Sequence, residues 1–345
     1  MRVVITGGTG FVARKLAQRL LKDGTTTGPD GTLQEISEIV LFDNVEANPP
    51  VNYNNSNVQP VIGDITDKAE VEDIIKGGRG AGSIWHLAAV VSAGAEADLD
   101  LGYAVNLHGT LHVLNACRGL PKPPRVVFAS SAAVYGGEPP LTVDDLTPPT
   151  PRTSYGAQKA AGELFVNDYT RRGIVDGRSV RLPTIVVRPG RPNKAASTFA
   201  SSIIREPLAG QPAICPVAPE SRMAILSPRR LIDALVALHD MDGAKLGFNR
   251  TVLLPSISVS IGEMADSLRR VGGEEAAGRI VWQPDPFIQR IVDQWPGAMH
   301  APRGESLGLK ADATMDEIVT AFIEDDLPAQ LELVASGGVS VVGHG

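Results

Sequence analysis

A tyrosine and a lysine four residues apart, Tyr155 and Lys159, share one face of any helix that carries them. An ammonium beside a phenol stabilises the phenolate and draws the tyrosine pKa towards neutrality. Such a pair can take a proton from an alcohol or return one to a carbonyl. Upstream, Phe128-Ala129-Ser130-Ser131 reads as the end of a strand, where a hydroxyl at Ser131 can hold the reacting oxygen beside Tyr155. A Y-x-x-x-K pattern alone arises by chance. Its weight comes from the order glycine turn, serine, tyrosine and lysine along one chain.

The glycine turn stands at the start. Val3–Thr6 reads as a strand and runs into Gly7-Gly8-Thr9-Gly10-Phe11-Val12-Ala13. One glycine permits a sharp bend, the next permits close approach of backbone to a diphosphate, and small Ala13 lets the following helix sit tightly on the strand. The amides of Gly7, Gly10, Phe11 and Val12 then offer donors and the positive helix end to phosphates. Asp43, followed by Asn44, ends the second strand, where a carboxylate accepts from the adenosine ribose hydroxyls and repels a 2′-phosphate; this selects NAD over NADP. The alternative is an ordinary turn aspartate, and Asp43 lies beyond the usual distance of about 20 residues from the turn. The polar stretch 24–35 explains the excess as a surface insertion. Asp64 and Ile65 suit the adenine amino group and face, or else Asp64 caps a strand end. Leu87, Ala88 and Ala89 leave room for a ribose across the strand ends, and Pro183 and Ile185 complete the expected cofactor contacts.

These groups need a scaffold that brings several strand ends to one edge. Val3-Val4-Ile5, Ile39-Val40-Leu41-Phe42, Val61-Ile62, Ile84-Trp85-His86-Leu87 and Val126-Val127-Phe128 are short, apolar and β-branched, as strands buried on both faces should be. Helices are expected near 11–22, 67–76, 98–118 and 154–171. The alternation predicts an α/β fold, a Rossmann-type doubly wound parallel sheet, with Val186-Val187 as a further strand. Prolines crowd the chain after residue 188, which predicts a smaller C-terminal substrate lobe. The expected division is an NAD-binding domain over 1–187 with 227–256 returning to it, a substrate-binding lobe over 188–226 and 257–330, and a flexible tail over 331–345.

Composition narrows the partners. The 345 residues are 43% hydrophobic and 21% charged, and carry 32 basic against 39 acidic side chains, a net charge of −7. Nucleic acid and anionic membranes repel such a chain, so neither is an expected partner. The cysteines, Cys117 and Cys215, are far apart and in no ligand spacing. No metal is expected, and the usage suits a reducing, cytoplasmic compartment. His108 and His112 share a helix face without a third ligand and read as a packing pair. The opening MRVVITGG leaves no room for a signal peptide, and no run of 18 apolar residues occurs.

Thr6-Gly7-Gly8-Thr9-Gly10-Phe11, His86-Leu87-Ala88-Ala89, Asn106-Leu107-His108-Gly109-Thr110, Ser130–Gly136 and Tyr155–Lys159 together resemble the extended short-chain dehydrogenase/reductases, specifically over residues 1–190 and more loosely over 190–328. Ala13 stands where that family usually has glycine. The resemblance implies Tyr155 as general acid/base, Lys159 as ribose ligand and pKa-lowering neighbour, Ser131 as the group orienting the reacting oxygen, and Asn106 as a support of the active-site helix. It also implies a homodimer through a bundle of the helices near 98–118 and 154–171. Ser131-Ala132-Ala133 lacks the acid pair of the family's dehydratases. Leu41–Asn44, Arg181–Gly190, Arg222-Met223-Ala224 and Trp282–Pro286 further resemble a group that oxidises the C2 hydroxyl of small sugar acids with NAD.

A sugar-acid carboxylate entering an acidic protein requires a local cation. Arg188, Arg191, Lys194 and Arg222 flank the expected cleft, with Arg191 and Arg222 the candidate carboxylate clamp; the commoner fate of such arginines is a solvated side chain or an ion pair. Ser92, Ser131 and Thr184 are candidates for the substrate hydroxyls. Two other readings stay open: a nucleotide-sugar 4-epimerase, which recycles its NAD, and a non-catalytic NAD-binding module, which has no use for a proton donor at Tyr155.

Overall fold

The computed structural model describes residues 1–46, 53, 55, 57–138, 141–191 and 197–336. Seven strands, β1 (Arg2–Thr6), β2 (Glu38–Asp43), β3 (Val58–Ile62), β4 (Ser83–His86), β5 (Arg125–Ser131), β6 (Asp176–Leu182) and β7 (Thr251–Leu253), form one sheet. Their spatial order is β7-β6-β5-β4-β1-β2-β3, and every neighbouring pair is parallel. The chain winds outwards from β1 in both directions. Between β1 and β4 the strand order reverses, and the carboxyl ends there open a crevice.

The strands buried on both faces are those with unbroken β-branched runs. Val3, Val4, Ile5, Ile39 and Val40 are fully buried. Helix α1 (Phe11–Asp23) turns Ala13, Leu16, Ala17 and Leu20 inwards, the spacing of one helix face, and ends on Gly24, whose φ of +68° closes the cap onto the Leu20 carbonyl. On the same face lies the helix Pro228–Asp240, which buries Leu231, Leu235 and Leu238 with them. A second apolar cluster gathers Phe199, Ile203, Met223, Met264 and Phe322 around the three-stranded sheet of Thr184–Ile185, Arg222–Leu226 and Ile257–Ser260.

Four expectations need correction. Val186-Val187 is no strand: Thr184–Ile185 takes that place, and the two valines are buried in the second cluster, since an apolar pair reads alike in a strand and in a buried connection. The helix expected over 98–118 is broken into Leu99–Gly102, a π-helical turn Tyr103–His108 and Gly109–Ala116. The first five residues of the tail expected over 331–345 continue the helix Leu327–Ala335, which is anchored where buried Gln330 accepts from the Gly190 amide at 2.8 Å; residues 337–345 lie outside the described residues. Finally, the insertion is a hairpin, Thr25–Thr27 against Leu33–Glu35, and it is not merely superficial.

That hairpin is tied to a buried polar cluster. Thr26 Oγ1 and the Thr27 amide both donate to Asp240 Oδ1 at 2.9 Å. His239 is bonded to Asp240 at 2.8 Å and to Ser83 at 2.7 Å, and stacks on Trp85. Burial pulls His239 down to about 4 and His86 down to about 3. Both imidazoles therefore stay neutral in the fold where the unfolded chain, with an ordinary value of about 6.5, takes up a proton. Their contribution is present above pH 6.5 and is lost as pH falls from there towards 4. Urea titrations between pH 7 and 5 should show the unfolding free energy falling by up to about 1.4 kcal/mol per pH unit for each histidine. His239→Gln should remove about half of that slope, and a pH-independent midpoint would contradict the assignment.

Candidate active site

Each glycine of the first turn has its own steric reason. Gly7 has a φ of +71°, and a Cβ there would lie 2.9 Å from the Ala88 amide nitrogen. A Cβ on Gly8 would press on the Leu41 backbone at 2.7 Å. The turn is thus wedged between the ends of β2 and β4. Gly10 brings no capping side chain to α1, and the first turn of α1 holds no carboxylate. Its amide donors are left for an outside anion.

Asp43 ends β2 against this turn, with Oδ2 accepting from the Thr9 amide at 2.9 Å and from Thr9 Oγ1 at 2.7 Å. Asn44 beside it is exposed. Asp64 is exposed and accepts from the Thr66 amide at 2.8 Å, while Ile65 is buried against Gly109, the start of the helix Gly109–Ala116. Leu87, Ala88 and Ala89 follow β4 half-buried, Pro183 and Ile185 are buried just beyond β6, and Ser92 and Thr184 are half-buried.

Ser131 is the last residue of β5 and accepts from the Ala133 amide at 3.1 Å. The following long helix, Ser154–Arg171, starts on Thr153, whose Oγ1 accepts from the Gly156 amide at 3.1 Å. A Cβ on Gly156 would fall 2.1 Å from the Ala133 carbonyl oxygen, so only glycine lets the helix start press against the turn after β5. Tyr155 is thereby brought into hydrogen-bond contact with Ser131. Lys159, one turn on, is buried with Nζ 4.8 Å from the Phe128 ring centroid and 5.7 Å from that of Tyr155.

The electrostatics differ from the expectation of a phenol near neutrality. Burial pushes Tyr155 up to about 12, opposed by the Ser131 hydrogen bond. Burial pulls Lys159 down to about 7, opposed by the charge of Glu163. In the free chain desolvation outweighs the attraction between phenolate and ammonium, because both charges must leave water.

A supporting network went unseen in the sequence. Glu163, one turn beyond Lys159, accepts from Ser130 Oγ at 2.5 Å and from Arg181 Nε and Nη2 at 2.9 and 2.7 Å. Arg181 also reaches the Tyr135 hydroxyl at 2.8 Å. This buried bidentate pair ties β5, β6 and the catalytic helix together directly behind Ser131 and Lys159. Nothing in the sequence around either residue marks it as one of a buried pair. Asn106, in the π-helical turn, accepts from the Val90 amide at 2.8 Å, donates to the Val90 carbonyl at 3.0 Å and donates to Gln158 at 2.7 Å. It thus joins the loop after β4 to the residue beside Lys159. A π-turn at such a position fits the frequent placing of these bulges at functional sites.

The two candidate clamp arginines are not brought together. Arg222 is exposed and engaged by Ser258 and by Glu263 at 3.4 Å. Arg191 is exposed at a cleft it shares with Phe11, Arg188 and Arg205. Lys194 lies outside the described residues.

Residues 3–244 match the model of the NAD dependent epimerase/dehydratase family. The D-erythronate dehydrogenase of Cupriavidus necator is 48% identical over 94% of this chain and 98% of its own length. The D-erythronate dehydrogenase of Haemophilus influenzae is 39% identical over 95% of this chain and 100% of its own. Among solved structures, a nucleoside-diphosphate-sugar epimerase from Agrobacterium tumefaciens superposes with a TM-score of 0.88, at 40% identity and 96% coverage of both chains.

Proposed function

The chain belongs to the NAD-dependent epimerase/dehydratase family and is an oxidoreductase using a nicotinamide cofactor; from that premise we propose that it oxidises D-erythronate to 2-dehydro-D-erythronate with NAD. The observation that carries this reading is the 48% identity, over nearly the whole of both chains, to a D-erythronate dehydrogenase, joined to a complete Ser131–Tyr155–Lys159 set.

The residues fit NAD. The turn at Gly7–Gly10, wedged so closely that a Cβ would clash, and the uncapped start of α1 suit the diphosphate, with Phe11 and Val12 contributing their amides. Asp43 and Asn44 suit the adenosine ribose; Asp64, through its exposed carboxylate, suits the adenine, with only backbone left to Ile65. Leu87, Ala88, Ala89, Pro183 and Ile185 line the remaining path towards Tyr155 and Lys159. When bound, NAD accepts the hydride leaving C2.

The protein's own part is proton handling and orientation. Ser131 holds the C2 oxygen next to Tyr155, and Tyr155, once ionised, takes the hydroxyl proton at its Oη. Lys159 supplies the positive charge that favours ionisation, Asn106 fixes the helix segment through Gln158, and Ser92, Thr184 and Arg191 bind substrate polar groups. Arg222 is the weaker clamp candidate, its charge being partly met by Glu263. Assembly as a homodimer is supported by the exposed Leu99, Leu101, Tyr103 and Leu164 on neighbouring helical segments. A reducing cytoplasmic setting is supported by two buried free thiols, Cys117 and Cys215. Among the described residues no helix is long and apolar enough to cross a membrane.

Purified protein with NAD should form NADH when given D-erythronate and not when given UDP-sugars. Epimerisation of a nucleotide sugar without net NADH would favour the epimerase reading, in keeping with the similar nucleoside-diphosphate-sugar epimerase from Agrobacterium tumefaciens. Asp43→Ser tests the cofactor. It removes a carboxylate that is charge-assisted in its bonding, so preference for NAD over NADP should fall by about 10- to 100-fold. The ratio of kcat/KM for the two cofactors measures this, and an unchanged ratio would rule Asp43 out as the selector.

A further inference from the structure

The cleft of about 50 Å³ between the two lobes is lined by Phe11, Arg188, Pro189, Arg191, Thr198, Ser201 and Arg205. Phe11 is the first residue of α1, directly after the glycine turn. Phe11 thus brings the start of α1 to one side of the cleft, and the other carries three guanidinium groups from the second lobe. Among the described residues only Arg205 has a carboxylate partner, Glu206 at 2.6 Å.

Arg205 and Ser201 build the backbone of this wall. Arg205 Nη1 donates to the Arg188 carbonyl at 2.6 Å, and the Arg188 amide donates to Ser201 Oγ at 3.0 Å. The Arg188 side chain is half-buried and donates from Nη2 to Ser197 Oγ at 3.0 Å. Desolvation and the neighbouring Arg205 charge pull its pKa down to about 10. A desolvated cation facing only a hydroxyl is unfavourable unless an anion completes the site. The turn from Gly7 to Val12 carries amides and no formal charge. Among the described residues Arg188 and Arg191 therefore have no carboxylate partner, and they stand at a cleft shared with a helix start that attracts anions.

We propose that Arg188 clamps the cofactor's diphosphate from the second lobe, leaving Arg191 at the mouth to the substrate, so that cofactor binding bridges both lobes. The anion is assigned to the diphosphate and not to the substrate carboxylate because Phe11, at the phosphate turn, lines the same cleft as Arg188. The proposal rests on the NAD reading above.

Calorimetric titration of the full chain with NAD, and separately with ADP-ribose, tests it without relying on turnover. Arg188→Met should weaken both ligands by the same factor, between about 10- and 100-fold, and Arg188→Lys should restore part of the loss. The KM for D-erythronate at saturating NAD should stay within about twofold of wild type. If ADP-ribose affinity is unchanged while that KM rises, the cleft holds the carboxylate and the proposal is overturned; it is equally overturned if neither quantity moves. Should Arg188→Met not fold, Arg188→Lys carries the same comparison, with a loss of ADP-ribose affinity supporting the clamp and an unchanged affinity refuting it. Wild-type protein that binds neither NAD nor ADP-ribose would instead remove the NAD reading itself.

Discussion

Tyr155→Phe should lower kcat by about 1,000-fold while leaving NAD affinity within about threefold. The substitution deletes one oxygen and keeps the ring, so the helix start against Ala133 and the packing around Lys159 are retained. What is lost is the hydroxyl beside Ser131 that can take the substrate proton; positioned general bases contribute about 10²- to 10⁴-fold. The pH profile gives a second readout. With its pKa pushed up to about 12 in the free chain, Tyr155 is a neutral phenol at neutral pH, so wild-type kcat/KM should rise with pH as a larger fraction ionises. The Phe variant should lose that rise. Turnover within tenfold of wild type would remove Tyr155 from the chemistry.

Lys159→Met should cost nearly as much in rate and should also act where Tyr155→Phe does not. Methionine fills a similar volume over the Phe128 ring but carries no charge. Without the ammonium the phenolate is less favoured, so kcat should fall by about 100- to 1,000-fold and the alkaline rise in rate should move to higher pH. NAD should bind about tenfold more weakly, since Lys159 is also assigned to the cofactor ribose. Stability should move the other way. A buried ammonium whose pKa is pulled down to about 7 is opposed by its surroundings, so the variant should melt at the wild-type temperature or above. A lower melting temperature together with unchanged NAD affinity would assign Lys159 to the fold and not to the site.

Local pattern made much of the fold legible in the sequence. Val3–Ile5, Ile39–Phe42 and Val126–Phe128 are uninterrupted apolar runs rich in β-branched residues, and all three are buried strands of the main sheet. The helix bearing Tyr155 begins at Ser154 as expected, and its capping threonine is a local feature. Less was readable where a residue's state depends on a distant partner. Glu163 and Arg181 are ordinary charges in one dimension and a buried pair in three. The hairpin after α1 looks like a polar surface insertion until Asp240, far along the chain, is seen accepting from Thr26 and Thr27. The π-turn at Asn106 has no signature that separates it from regular helix. Arg188 is half-buried against Ser197 and Arg191 is exposed, a difference that no spacing rule conveys.

The central claim is hydride removal from C2 of a four-carbon sugar acid at the Ser131–Tyr155–Lys159 site, and isotope transfer tests it most directly. D-erythronate carrying deuterium at C2 should deliver that deuterium to NAD in equal amount with product, leave a ketone at C2 and react more slowly than the unlabelled acid. Product that retains the deuterium, or NADH that forms without it, would contradict the account.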